Sequence, residues 1–182
     1  LNYPETGIKA IAGTFTGKSL NIQNIGNLAA STNGTYALAL SSPTSVTIDG
    51  YYGRNVLAKH NGTYGDQPGM ARFLWLFNVD SYGIKNLDFA TGDGDDFDAW
   101  FIQDTRTPVV STGTIDRVTV KVNEKMRRIG KYQGGYHTLK NLNASLAATF
   151  VTYDGTTSAG DRNMNGIDWA GAADGSLQVE DS

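Results

Sequence analysis

Along the chain, short stretches alternate apolar and polar residues with the period of two that a half-buried β-strand requires. Leu87-Asp88-Phe89, Val118-Thr119-Val120 and Leu142-Asn143-Ala144-Ser145-Leu146 are examples. Just before each alternation stand two apolar residues three positions apart. Ile84-Lys85-Asn86-Leu87, Ile115-Asp116-Arg117-Val118 and Leu139-Lys140-Asn141-Leu142 share this unit, as does Ile22-Gln23-Asn24-Ile25 upstream. On a straight strand a spacing of three would send the pair to opposite faces, so a bend must return both to one core. Asn tolerates the left-handed backbone conformation of such a bend better than any residue but Gly. The unit therefore reads as strand, one-residue corner, strand. Val46-Thr47-Ile48-Asp49-Gly50 and Asn165-Gly166-Ile167-Asp168-Trp169 are weaker members. With the leading apolar residues at 22, 48, 84, 115, 139 and 167, the steps are 26, 36, 31, 24 and 28 residues. Such irregular steps describe a structural repeat whose loops vary in length.

The segments SVTIDG, YGIKNLDF, TIDRVTV and HTLKNLNASL resemble coils of right-handed parallel β-helices of the pectate-lyase-like superfold. That group includes polysaccharide lyases, polygalacturonases and bacteriophage tailspikes. The resemblance runs from about Ser19 to Val179. It implies an all-β, right-handed parallel β-helix as a single domain over residues 1–182, with Asn24, Asn86 and Asn141 stacked as a ladder at one corner. The residues alone leave an antiparallel β-sandwich or jelly roll open, because many short strands parted by Gly and Asn turns suit that fold as well. Only residues 124–129 carry the pattern of a short helical turn. Leu1 opens the chain without a Met or signal peptide, and strand-like residues 176–180 almost end it. The expectation is a segment of a longer protein.

Composition agrees with this reading and removes other classes. The chain of 182 residues has 22 Gly, and fifteen Asp against three Glu. Asp favours turns and caps, whereas Glu favours helix interiors. A net charge of -3 and the absence of Lys/Arg runs give no basic footprint for nucleic acid. No run of about 18 apolar residues is present to insert into a bilayer. Cys is absent, so disulfides, thiol catalysis and thiolate metal sites are excluded.

Candidate chemistry concentrates in Gly92-Asp93-Gly94-Asp95-Asp96-Phe97-Asp98. Asp93, Asp95, Asp96 and Asp98 could act as the acid and base of glycoside hydrolysis, could bind Ca²⁺ through their oxygens, or could form an exposed acidic turn. The Gly-Asp-Asp triplet is similar to the acidic motif of polygalacturonases, but the upstream Asn-Thr-Asp and the Gly-His-Gly of that family are missing. A lyase would instead need a Lys or Arg base facing uronate carboxylates. Lys59, Arg72, Arg127, Arg128 and Lys131 are available, with nothing in the sequence to gather them. Asp161-Arg162-Asn163-Met164-Asn165-Gly166 matches the first half of a Ca²⁺ loop, but its twelfth position is Ala172 rather than Glu. A solvated turn is the expectation there, and no metal or cofactor is assigned. His60 and His137, the two histidines, lack the context of a hydrolase triad.

Tyr51, Tyr52, Tyr64 and Trp100 are the candidate stacking platforms for sugar rings, since an aromatic face takes C–H groups while polar neighbours take hydroxyls. Phe73-Leu74-Trp75-Leu76-Phe77 is apolar on both strand faces and must be covered outside as well as inside. The cover is either a loop of the same chain or a neighbouring subunit in a homotrimer. What the resemblance implies is a virion or extracellular protein, such as a tailspike or tail fibre, that binds a cell-surface polysaccharide and acts on it as a hydrolase or lyase. The alternative is a non-catalytic structural or carbohydrate-binding β-protein.

Overall fold

A computed structural model describes residues 6–30, 35–59, 71–90, 97–122, 128–146, 165–170 and 175–180. These residues form β1 (Thr6–Ile11), β2 (Thr14–Ala30), β3 (Thr35–Ser41), β4 (Ser45–Lys59), β5 (Ala71–Phe77) and β6 (Ser81–Ala90). They continue with β7 (Phe97–Gln103), β8 (Thr112–Val122), β9 (Arg128–Gln133), β10 (Tyr136–Leu146), β11 (Asn165–Ala170) and β12 (Ser176–Glu180). The odd strands make a six-stranded sheet A in the order β1-β3-β5-β7-β9-β11. The even strands make sheet B in the order β12-β10-β8-β6-β4-β2. Every pairing is parallel.

The chain thus visits the two sheets in turn and climbs one odd and one even strand per rung, as a parallel β-solenoid does. The antiparallel sandwich and jelly roll are excluded, because both pair strands antiparallel. No described residue is helical, and Arg128 and Ile129, the end of the expected helical turn, belong to β9.

The corners follow the left-handed residues, though not all in the expected alignment. Ser19, Gly50, Asn86, Arg117 and Asn141 occupy equivalent bends in β2, β4, β6, β8 and β10, with φ of 51°, 85°, 59°, 55° and 51°. Asn24 is not in this column. It sits at a second bend five residues farther along β2, in register with Asn55 of β4, whose Nδ2 donates to Asn24 Oδ1 at 3.0 Å. The unit Ile22–Ile25 therefore aligns with Gly53–Val56, and the partner of Ile48 in β2 is Gly17. Ile167 belongs to sheet A, opposite Gly130, so it is no member of the repeat either.

The main corner also lacks an uninterrupted Asn ladder. Asn86 Nδ2 donates to Asp49 Oδ1 (2.6 Å), Arg117 Nε to Asn86 Oδ1 (2.8 Å) and Asn141 Nδ2 to Asp116 Oδ1 (2.8 Å). Each bond ties one rung to the next, and three residue types share the task because any side chain with a suitable donor can reach across about 4.8 Å.

Between the sheets, apolar columns run along the stack. Ile48, Ile84, Ile115 and Leu139 are in register on sheet B, and Leu40, Leu76, Ile102 and Tyr132 on sheet A; all are buried. Burying each such aliphatic side chain contributes about 1.5–3 kcal/mol. Large aromatics fit because small residues face them. Phe73 stacks on Phe89 with ring centroids 4.6 Å apart, and an added Cβ at Gly53 would lie 2.6 Å from the Phe73 ring.

Candidate functional site

The outer face of sheet A departs from the polar exterior that a solvated sheet presents. In β5, Ala71, Phe73, Leu74 and Leu76 enter the core, which leaves Arg72, Trp75 and Phe77 pointing outward. The same alternation turns out Tyr36 from β3, Asp98 and Phe101 from β7 and Lys131 from β9. Register brings these residues into two adjacent columns. Tyr36, Arg72 and Asp98 form one, and Ala39, Trp75, Phe101 and Lys131 the other.

Tyr36 stacks on Trp75 at 4.9 Å between centroids, and Trp75 lies 5.7 Å from Phe77. These three rings are half-buried. Beside them, the Arg72 guanidinium lies 4.9 Å from the Phe101 ring centroid and 5.5 Å from that of Tyr36, and Lys131 Nζ lies 5.2 Å from Phe101. Cations hold such positions through the ring quadrupole, more strongly where water is excluded. Arg72 Nε donates to Asp98 Oδ2 at 3.1 Å, and Arg72 Nη1 donates to the Tyr36 hydroxyl at 3.2 Å. Arg72, Asp98, Phe101 and Lys131 are all buried although they point away from the core.

The half-buried rings of Tyr36, Trp75 and Phe77 can take the apolar C–H faces of a ligand, whereas Arg72, already paired with Asp98, and Lys131 are buried and do not meet one directly. Sequence reasoning named Arg72 and Lys131 among the candidate cations but had no means of bringing them together. They stand on strands β5 and β9, with β7 between. Trp75 and Phe77 were visible as part of a doubly apolar strand, whereas Tyr36 and Phe101 carried no signal, because consecutive core residues, Ala37-Leu38 and Ala99-Trp100, break the simple alternation beside them.

The other expected site residues are scattered or lie elsewhere. Tyr51 is buried, with its hydroxyl donating to Phe73 O at 2.8 Å, and Trp100 has no exposed surface. Neither ring can meet a ligand, because each faces the interior of its rung, where its large area is spent on packing. Tyr52 is exposed, but on sheet B, with the Arg54 guanidinium 3.8 Å above its ring and Arg54 Nη2 bonded to Asp88 Oδ1 at 2.9 Å. Asp98 is an internal ion-pair member rather than part of an exposed turn. Asp93, Asp95, Asp96 and Tyr64 lie outside the described residues, as do His60 and Asp161–Met164. Asn165 and Gly166, the end of the Ca²⁺-like motif, belong to strand β11. Among the described residues, no group of three or more His, Asp or Glu side chains could hold a metal ion.

Two further polar clusters are structural. Asp104, at the turn between β7 and β8, accepts from the backbone N–H of Arg106, Val110 and Ser111 and from Arg106 Nε and Nη2. Burial pushes its carboxyl up, but the Arg106 guanidinium and the three N–H groups outweigh this and hold it well below the usual carboxylate range. So saturated an acceptor has no capacity left for proton transfer. His137 is buried beneath Tyr82 and Tyr132. Gly134 O can only accept, so His137 Nε2 carries the proton, and Nδ1 accepts from the Tyr82 hydroxyl at 2.8 Å. Burial lowers the pKa of the imidazole, against smaller opposing effects of Gly134 O and Asp104.

Comparison with protein families, with curated proteins and with solved structures gives no match to this chain. The geometry of the two sheets and of the outer face of sheet A is therefore what a functional reading rests on.

Proposed function

We propose that the chain is a right-handed parallel β-helix that binds an extracellular polysaccharide along the outer face of sheet A, in the setting of a virion tail protein or a secreted protein. Successive strands of one sheet are parallel and joined by a crossover through the other, and such connections are right-handed in about 98% of cases. The binding reading is carried by one observation: the half-buried strip Tyr36–Trp75–Phe77 on a sheet exterior, with Arg72 and Lys131 beside it. Rings of this kind fit sugar faces, which take C–H groups against the ring while hydroxyls find polar partners.

The test is retention on an array of capsular, lipopolysaccharide and uronate-containing glycans. Binding to a glycan of the array is expected, and Trp75→Ala, checked for an unchanged fold by circular dichroism, weakens it by about tenfold. Retention on no glycan would sink the reading and leave the structural alternative.

Depolymerisation by the acidic run is a second reading, and it rests on the sequence alone, where residues 93–96 immediately precede β7. Here Asp95→Asn or Asp96→Asn abolishes release of reducing ends while glycan binding persists. Unchanged release in both variants removes these carboxylates from any catalytic role.

A further inference from the structure

We propose, resting on the reading of sheet A's outer face as a glycan-binding surface, that the glycan is uncharged and that Gln103 and Gln133 select it through its hydroxyls. Two residues beyond the column of Trp75 and Phe101, the next outward positions of β3, β5, β7 and β9 form a further register column: Ser41, Phe77, Gln103 and Gln133. All four are half-buried, whereas Ala39, Phe101 and Lys131 in the column before them are buried. Together with Tyr36 and Trp75, this column is the part of the described face that a ligand reaches.

Along the column an aromatic ring gives way to amides. Phe77 offers a ring face 5.7 Å from that of Trp75. The following rungs, each about 4.8 Å farther on, offer Gln103 and Gln133. Gln103 Nε2 donates to Gln133 Oε1 at 3.1 Å, which fixes the two side chains against each other. The bond leaves Gln103 Oε1 to accept and Gln133 Nε2 to donate. Turning both amides over leaves the same set, one carbonyl oxygen and one NH₂ group. A hydroxyl both donates and accepts, so a sugar with its C–H face on Phe77 finds partners for neighbouring hydroxyls on the next two rungs. Ser41 adds a hydroxyl on the other side of Phe77.

Charge disfavours an acidic ligand here. Arg72 is paired with Asp98 and both are buried, as is Lys131. At the corner after Gln103, Arg106 lies between Asp80 and Asp104, one positive charge against two negative. An anionic glycan would give up hydration and meet surplus acid, with no accessible cation among the described residues of these columns. Uncharged hydroxyls need only what the amides supply.

Retention of the 182-residue chain on a glycan array tests this, with the array divided by charge. Its uncharged members are dextran, mannan, xyloglucan and O-antigens without acidic sugars, and its acidic members are polygalacturonate, alginate and hyaluronan. Retention on an uncharged member is expected, and it stays unchanged as salt is raised, because salt screens only charge. Gln103→Leu and Gln133→Leu each weaken that retention by about tenfold. Gln133→Glu, which still accepts from Gln103 but has no proton to donate, weakens it as much. Melting curves confirm that the variants remain folded. Retention on acidic members alone overturns the inference and leaves the glycan reading standing. So does retention that Trp75→Ala weakens and neither Leu variant changes. Retention on no member overturns both.

Discussion

Gly130 faces the indole of Trp100, where an added Cβ would lie 2.1 Å from the ring. Neither backbone nor indole can yield that distance without leaving the rung. Gly130→Ala is expected to destabilise the fold by about 3 kcal/mol, at the upper end of overpacking costs, and denaturant unfolding would measure it. At the corner, Asn86 combines a φ of 59° with a 2.6 Å bond to Asp49. Asn86→Ala loses this bond and the one accepted from Arg117 Nε and adds left-handed strain, at a cost of about 2 kcal/mol. Asn86→Gly loses the two bonds without the strain and costs about half as much. Equal losses in the two variants would mean that the backbone conformation contributes nothing. Asn86 and Asn141 were legible as corner residues because little else explains Asn between two apolar residues. Ser19 and Arg117 were less so, since a left-handed Ser or Arg has no distinctive surroundings in sequence. Trp100 was misread for a related reason: an aromatic beside an acidic run looks like a surface residue until the glycine that makes room for it, 30 positions later, is in place.

Among the elements, β5 and β7 are joined by the buried pair Arg72–Asp98. Removing one charge of such a pair costs about 3–5 kcal/mol, while replacing both with apolar residues costs less. Asp98→Leu and Arg72→Met are each expected to lower stability by that amount, and the double variant to recover most of it. Additive losses in a double-mutant cycle would show that the two groups are not coupled. Because Asp98 supports the fold, tests of catalysis belong with Asp95 and Asp96. The strands themselves were legible from period-two alternation, and so was the doubly apolar character of Phe73–Phe77. Register was only partly so. From Ile48 to Leu139 the repeat aligns as expected, but β2 and β4 each hold two bends five residues apart, and Ile22–Ile25 resembles the first while belonging to the second. A single-residue corner carries too little sequence to separate them. The outer strip was illegible for the opposite reason: its members come from four strands, and only the parallel register makes them neighbours.

For the molecule as a whole, acid is the condition that the buried groups oppose. The pKa of folded His137 lies below its ordinary 6.5, so as pH falls past 6.5 the unfolded chain takes up a proton that the folded chain refuses, and stability declines. Asp104 is held below its ordinary 3.8, so its contribution is present above that value and is lost as pH falls below it toward the folded-state pKa. Both effects have the same sign. The melting temperature should fall in two stages on acidification, the first below pH 6.5. His137→Gln, which can still donate to Gly134 O and accept from Tyr82, should remove the first stage and leave the second. A first stage that survives this substitution would assign it to another group.

The columns stay in register although the chain between equivalent positions is of very unequal length. Gly17, Ile48, Ile84, Ile115, Leu139 and Val179 align across steps of 31, 36, 31, 24 and 40 residues. Each rung is aligned by its own corner and its neighbours, so an insertion in one connection leaves the next rung where it was. Closing a longer loop costs little, since the penalty grows only with the logarithm of length. A change of length in any one connection is therefore expected to leave the register of every other rung as it was.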